Sequence, residues 1–156
     1  MSDFTQFKTW LNQVSFLTEQ DCAMFQANLR TEHFTAKDFF LQENQVCKKI
    51  GFVNKGLFRM YYLQDGKEIN THFSMENNFV VNYDSFLQQS ASKYYLQALE
   101  DAEIVSFDFE TLQEAYAKSH NWERFGRLMA EVSYKITTNR VEGFLFLDAE
   151  ARYLQL

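Results

Sequence analysis

The first thirty residues carry apolar side chains at helical spacing. They recur every three or four positions, the period of one helix face, at Phe4, Phe7, Trp10, Leu11 and Val14. Thr18 stands three residues before Asp21, which is typical of a capping residue that opens a second helix. The pattern therefore predicts two short amphipathic helices at the start of the chain.

From about residue 31 the pattern changes to short apolar runs separated by polar turn residues. These runs occupy residues 39–41, 50–53, 57–63, 69–73, 79–81, 94–99 and 104–107. Short runs rich in Phe, Val, Ile and Tyr at this spacing predict an antiparallel sandwich or barrel. Asp65 and Gly66 predict a tight hairpin turn, because glycine in a two-residue turn suits the twist of the flanking strands. Gly51 and Gly56 are predicted to bracket a further turn.

Helical spacing returns after Phe109. Residues 111–119 predict a short helix, and Asn121 is predicted to cap a much longer one. Steps of three and four alternate along the long helix at Trp122, Phe125, Met129, Val132, Ile136, Asn139, Gly143 and Phe146. This is the heptad spacing of a seam between two helices, in which one polar residue can fix the register. A helix packed on its own barrel shows similar spacing, and Leu128 and Leu145 lie off the seam where they would face the barrel.

Composition supports one packed domain. Of the 156 residues, 46% are hydrophobic and 17% aromatic, which is enough to fill a core without disulfides or a structural metal. No apolar run approaches the length that spans a membrane. The net charge of −6 weighs against DNA binding by this chain, because phosphate neutralisation supplies much of such affinity. Cys22 and Cys47 form no metal-type pair, so a reduced, cytoplasmic protein is expected.

Several local motifs and the order of the predicted elements resemble a known family. Residues 52–59 resemble the strand-turn-strand of cyclic-nucleotide-binding-type barrels, and residues 97–104, which include Ala-Leu-Glu-Asp, resemble a late strand and turn of those barrels. Residues 84–87 fall where the family has a short helix, and residues 140–153 resemble the end of its dimer helix. Over nearly its whole length the chain is thus similar to the sensor half of Crp/Fnr-type (cyclic-AMP-receptor-like) transcription regulators.

This resemblance implies a mainly β fold with flanking helices. The expected architecture is a double-stranded β-helix (jelly-roll) barrel of cyclic-nucleotide-binding type plus a long C-terminal dimerisation helix. Residues 1–147 would form the sensor domain, with N-terminal helices in 1–30, the barrel in 31–108 and further helices in 109–147. Residues 148–156 would begin a DNA-binding domain that is missing from this chain. The expected protein is a non-enzymatic homodimer that senses an unknown small effector, reaches DNA only through that missing domain, and contacts no membrane.

Ligand-binding relatives hold the ribose with a Gly-Glu pair and the cyclic phosphate with an Arg-Ser pair. By the resemblance, the first pair falls on Val81 and Asn82 and the second on Ser92 and Lys93, so both charged anchors are replaced. A lost charge-assisted hydrogen bond costs about 1.5–3 kcal/mol, which is roughly tenfold or more in affinity. Usual cyclic AMP binding is therefore not expected, and no cofactor is implied.

The charge of this region agrees with that expectation. From residue 68 to residue 117, Lys93 is the only Lys or Arg in the sequence, against nine acidic residues. Strand alternation predicts that Lys93 points away from Ser92, into solvent. The residues expected to line or rim a remaining ligand cavity are Asn82, Tyr83, Ser85, Ser92, Lys93, Tyr94 and Tyr95.

Two other functions remain open. A stand-alone scaffold or protein-interaction module would use the same barrel and helix without a ligand. A cupin-like enzyme would share the barrel but needs clustered histidines for its metal, and this chain has only His33, His72 and His120. Lysines 48 and 49 beside Cys47 predict a lowered thiol pKa and some redox sensitivity.

Overall fold

The computed structural model of the protein describes residues 4–146. The chain divides into two compact units, Met1–Ala115 and Tyr116–Leu156. The predicted beginning of a DNA-binding domain at residues 148–156, and the last residue of the predicted sensor domain, lie outside the described residues.

The first unit begins with the two predicted helices, α1 (Thr5–Leu11) and α2 (Glu19–Gln26). The predicted cap of α2 is confirmed as a reciprocal capping box. The Thr18 hydroxyl accepts from the Asp21 N–H at 3.1 Å, and the Asp21 carboxylate accepts from the Thr18 N–H at 2.9 Å. These bonds satisfy amide groups that a helix start leaves unpaired.

Eight strands and one short helix follow, and α4 crosses from the first unit into the second. In chain order the elements are β1 (Arg30–Phe34), β2 (Phe39–Leu41), β3 (Lys49–Lys55), β4 (Phe58–Gln64), β5 (Lys67–Ser74), β6 (Phe79–Val80), α3 (Tyr83–Gln88), β7 (Tyr95–Ala98), β8 (Ala102–Asp108) and α4 (Phe109–Lys118). The strands form two antiparallel sheets with orders β1-β8-β3-β6 and β2-β7-β4-β5. The predicted barrel of short strands is confirmed.

The interior lies between the two sheets. The ring of Phe58 on β4 contacts Phe34 on β1 at 5.4 Å and Phe40 on β2 at 6.4 Å between centroids. On the other side of the first sheet, Phe7 of α1 packs against Phe52 at 5.1 Å, and the N-terminal helices cover that face. Aromatic side chains thus fill both the interior and the layer under the helices.

The turn predictions have mixed outcomes. Asp65 and Gly66 form the predicted turn between β4 and β5, and both have positive φ angles of 51° and 76°. Gly56, with φ +98°, also sits at a turn. The predicted turn at Gly51 was wrong, because Gly51 lies inside β3, where a Cβ would come within 2.7 Å of Ile104 Cδ1. This glycine is explained by close packing in the interior.

The second unit is dominated by α5 (His120–Phe146), a helix of 27 residues. Its cap is Ser119, whose Oγ accepts from the Trp122 N–H at 3.4 Å, so the prediction of Asn121 as the cap was wrong. The side chains of the predicted seam become more exposed along the helix. Trp122 and Phe125 are buried and their rings meet at 5.5 Å, whereas Val132 and Ile136 are each 49% exposed.

The last turns of α5 are more exposed still. Phe146, the final residue of the predicted seam, is 80% exposed. Leu145 was predicted to face the barrel, but it is 70% exposed, so that prediction was wrong. Of the other seam positions, Met129 and Gly143 are half-buried and Asn139 is exposed. The apolar surface of α5 that remains available begins after Phe125.

Candidate functional site

The resemblance places the phosphate-binding residues of ligand-binding relatives within residues 81–94, and we call this stretch the cassette segment. Asn82 ends its first stretch and caps α3, because its Oδ1 accepts from the Ser85 N–H at 3.4 Å. Asp84 follows in the first turn of the helix, where its negative charge matches the helix dipole. A second negative group, such as a phosphate, would meet that carboxylate at the same helix end.

Asn82 and Ser92 are bonded directly to each other. The Asn82 side-chain Nδ2 donates to Ser92 Oγ at 2.7 Å, and both residues are buried. Ser92 Oγ also accepts from the Tyr94 N–H and donates to the Tyr94 carbonyl, each at 2.9 Å. A buried polar group needs a hydrogen-bond partner, and here each of the two replacement residues supplies the other's. A neutral, hydrogen-bonded pair thus stands at the two positions where the resemblance places the charged anchors.

The loop between β2 and β3 is hydrogen-bonded along the same segment. The Asn44 N–H donates to the Ser92 carbonyl and the Ser92 N–H donates to the Gln45 carbonyl, both at 2.8 Å. Val46 and Ala91 form an isolated antiparallel bridge next to them. This short ladder fixes the backbone on the C-terminal side of α3.

A second group of bonds holds the same loop to α3. The Cys47 N–H donates to Ser85 Oγ at 2.9 Å, and Gln89 Nε2 donates to the Cys47 carbonyl at 3.3 Å. Ser85 Oγ in turn donates to the Ser90 carbonyl at 2.5 Å. The cassette segment is therefore held by hydrogen bonds from its own side chains and from the β2–β3 loop.

The predicted lining residues before Tyr95 differ in their burial. Asn82, Ser85 and Ser92 are buried in the bonds just described, and Tyr83 is half-buried, with its pKa raised by that burial. Lys93 is exposed, as predicted, while Ser92 is buried, although both residues precede β7 and lie outside any strand. Tyr94 remains half-buried.

Tyr95 belongs to another surface. Its ring stacks on Tyr61 at 5.0 Å, and the Arg59 guanidinium lies 4.2 Å from the Tyr61 ring. Burial and the nearby Glu43 carboxylate raise the pKa of the Tyr95 hydroxyl. Strand alternation places this stack on the face of β4 opposite Phe58, and Tyr61 is buried there at 5% exposure. Tyr95, which was predicted to rim the cavity, pairs in register with Tyr61.

Three inward-facing residues were missed by the sequence reasoning: Met60, Tyr62 and His72. Met60 and Tyr62 alternate with outward residues from Phe58, and His72 pairs with Met60 across the sheet. The Tyr62 and Tyr94 rings meet edge to face, 5.9 Å apart at 87°. A bulge in β5 next to Thr71 places Asn70 opposite Tyr61, so that Asn70 does not share the face of His72. The alternation of β4, which places Met60 and Tyr62 on the same face as Phe58, is the sequence signal that could have identified them.

Two cations of the barrel strands are paired with carboxylates. Arg59 lies 2.7 Å from the Glu68 carboxylate. Lys49 forms an ion pair with Glu32, which also accepts a hydrogen bond from the Ser106 hydroxyl. Both charges are therefore neutralised by carboxylates of other strands.

The sequence matches the cyclic nucleotide-binding domain family over residues 31–119, more than half of the 156-residue chain. This chain belongs to that family. The match covers all eight strands except the first residue of β1, together with α3 and α4. No curated protein matches the sequence.

Solved structures with the same fold include bacterial transcription regulators. The catabolite activator protein of Thermus thermophilus has a TM-score of 0.68 at 13% identity, over 83% of this chain and 60% of that one. A CooA double mutant from Carboxydothermus hydrogenoformans has a TM-score of 0.63 at 16% identity, over 91% and 90%. The c-di-GMP responsive regulator CLP of Xanthomonas campestris has a TM-score of 0.64 at 14% identity, over 88% and 70%. The chain spans about 60% of the Thermus protein.

These matches confirm the fold predicted from the Crp/Fnr resemblance: a cyclic-nucleotide-binding-type domain of antiparallel sheets with flanking helices and a long C-terminal helix. In this domain, residues 4–146 contain no group of three His, Cys, Asp or Glu side chains placed to hold a metal ion. Within the same range, no helix has the length and apolarity to cross a membrane.

The prediction of a lowered Cys47 pKa was wrong. The Cys47 side chain is buried at 1% exposure, and this burial raises the pKa of its thiol more than hydrogen bonds and the Lys49 charge lower it. Burial and the neighbouring Asp21 carboxylate likewise raise the pKa of Cys22, which is half-exposed. A lysine adjacent in sequence lowers a thiol pKa only where the thiol is solvated enough to ionise.

We expect the two thiols to differ in reactivity towards a disulfide reagent at neutral pH. In the folded domain Cys22 should react more slowly than free cysteine, and Cys47 should not react until the protein unfolds, because burial keeps it protonated and inaccessible. Absorbance after addition of dithiobis(nitrobenzoic acid) measures this directly. The Cys22→Ser variant is the control and should be inert when folded; prompt release of one equivalent from that variant would contradict the buried position of Cys47.

Proposed function

We propose that this chain is the effector-sensing and dimerisation part of a Crp/Fnr-type transcription regulator that does not bind cyclic AMP in the usual way. The observation that carries the proposal is the buried Asn82–Ser92 hydrogen bond at the two positions where the resemblance places the charged anchors. In this proposal the family fold provides the ligand-sensing domain, and the Asn82–Ser92 bond changes which ligands that domain can bind.

Electrostatics supports the loss of cyclic AMP binding. A cyclic phosphate needs a cation and free backbone amides, but the Ser92 amide is bonded to Gln45 and the nearest lysine in sequence, Lys93, is exposed. Binding in the usual position would break the Asn82–Ser92 bond and bring the phosphate towards the end of α3 that carries Asp84. Breaking this bond and bringing the phosphate near Asp84 each cost free energy, and no cationic side chain offsets that cost.

The helix α5 supports dimerisation. After its buried first turns, the predicted seam presents apolar side chains that are about half exposed or more, namely Val132, Ile136 and Phe146. A long helix with such a stripe is typical of a surface that meets another helix. We therefore place the proposed homodimer contact on residues 129–146 of the predicted seam, and not on Trp122 and Phe125, which are buried.

The remaining parts of the proposal concern the whole protein. A regulator of this type would act in the cytoplasm and contact DNA through a separate domain, with the barrel responding to a small effector of unknown identity. The free Cys22 and Cys47 thiols are compatible with a reducing compartment. We propose no enzymatic activity, no cofactor and no membrane partner for this chain.

Dimerisation is tested by placing a charge in the middle of the stripe. Ile136→Glu should weaken the dimer at least tenfold, because a carboxylate buried in an apolar helix contact loses its hydration. Analytical ultracentrifugation over a range of concentrations gives the dissociation constant. Thr137→Glu, which adds the same charge at an exposed position beside the stripe, is the control and should leave the dimer intact. A wild-type chain that stays monomeric at high micromolar concentration would remove the dimer from the proposal.

The altered cassette is tested by calorimetry with cyclic AMP. The wild-type domain should give no heat of binding in the micromolar range, because both charged anchors are replaced by a neutral, paired asparagine and serine. The regulatory domain of a protein known to bind cyclic AMP serves as a positive control for the titration. Saturable micromolar binding by this chain would refute the proposal.

A further inference from the structure

The C-terminal end of α3 carries a strained residue. The helix ends at Gln88, and the next residue, Gln89, has φ 48° and ψ 43°, which lie in the left-handed region. Helices commonly end with such a residue, but glycine or asparagine usually occupies the position, because a longer side chain crowds the backbone there. The backbone of Gln89 is therefore strained, and contacts made by the folded chain must offset that strain.

The side chain of Gln89 makes such contacts. Its Nε2 donates to the Phe86 carbonyl at 2.6 Å, within the same helix end, and to the Cys47 carbonyl in the β2–β3 loop at 3.3 Å. Gln89 is half-buried, and Phe86 and Cys47 are buried. One side chain thus satisfies a carbonyl near the end of α3 and also joins the helix to the loop.

The other side of the cassette segment is held without a comparable strain. The bond between the buried Asn82 and Ser92 side chains measures 2.7 Å, and the Ser92 N–H donates to the Gln45 carbonyl at 2.8 Å. The residue with a positive φ on that side is Asn44, a type that tolerates the left-handed region. Because its bond to the loop is longer and its backbone is strained, the Gln89 contact is the weaker of the two attachments of α3.

We propose that Gln89 is a latch, which holds the C-terminal end of α3 against the β2–β3 loop and releases it when the two side-chain bonds break. On release, Gln89 can leave the left-handed region, so the relief of strain offsets part of the free energy lost with those bonds. The Asn82–Ser92 bond stays in place, and the cassette segment opens at one end only. The inference rests on the proposed sensing function, in which the latch controls the movement of α3.

Amide hydrogen exchange of the full chain, measured by NMR, tests the latch through the Cys47 N–H, which donates to Ser85 Oγ on α3. Gln89→Ala keeps the strain and removes the side-chain bonds. Its Cys47 amide should exchange about tenfold faster than in the wild type, the effect of losing roughly one net hydrogen bond. Gln89→Gly removes the bonds and the strain together, so its Cys47 amide should exchange several times more slowly than in the alanine variant.

In both variants the amides of Asn44 and Ser92 should keep their wild-type rates, because the latch releases one end of α3 alone. Gln88→Ala is the matched control, since Gln88 is the exposed neighbour whose side chain donates to Asp84 within the same helix. Its Cys47 amide should exchange as in the wild type. Wild-type exchange of the strand amides establishes that each variant is folded.

Three outcomes would overturn the inference. In the first, the Cys47 amide of Gln89→Ala exchanges at the wild-type rate, so the side chain holds nothing. In the second, the alanine and glycine variants exchange equally, so no strain is relieved. In the third, the amides of Asn44 and Ser92 accelerate as much as that of Cys47, so the opening is not confined to one end. The proposed regulator function would survive each result, because its dimer and cyclic AMP tests do not involve Gln89.

Discussion

The structure of the sensing region depends on a buried hydrogen bond between two neutral side chains, Asn82 and Ser92. Buried polar groups without partners are costly, so each of these two side chains needs a hydrogen-bond partner. Here Asn82 donates to Ser92. In the proposed function, this bond makes the binding of a charged ligand unfavourable, because such a ligand would have to break it.

The β2–β3 loop extends this constraint to the backbone. The backbone of Ser92 forms hydrogen bonds with the backbone of Asn44 and of Gln45. The Cys47 N–H donates a hydrogen bond to the Ser85 hydroxyl on α3. The loop, α3 and the start of β7 consequently form one hydrogen-bonded body. In the proposed function, an effector that changes the position of α3 has to act on this hydrogen-bonded unit.

Much of the fold followed from the sequence because the relevant forces are local. Seven strand predictions, the Thr18 cap and the Asp65–Gly66 turn rest on alternation, capping and turn geometry, each of which acts over a few residues. Strand β1 escaped detection because its inward-facing Glu32 breaks the apolar pattern, and only the partner Lys49, distant in sequence, makes that position acceptable. The Crp/Fnr resemblance supplied the arrangement of the sheets, which no local pattern contains.

The candidate site was less predictable, because its properties depend on burial and register. The Asn82–Ser92 bond joins residues ten positions apart, and sequence reasoning identified both residues but not their contact. The stacking of Tyr95 on Tyr61 joins two strands, so no local pattern contains it. The Cys47 pKa was predicted from neighbouring charges, while burial, a property of the folded core, decides it. Residues of α5 likewise share one spacing but differ in exposure along the helix.

Amide hydrogen exchange, measured by NMR on the ligand-free domain, tests the closed cassette most directly. The amides of Asn44, Cys47 and Ser92 each donate to a partner across the cassette, so they should exchange as slowly as amides inside the strands. Adding cyclic AMP should leave those rates unchanged. Exchange of these three amides at the rate of an unprotected loop, or marked slowing on addition of cyclic AMP, would show that the cassette is open until a nucleotide closes it.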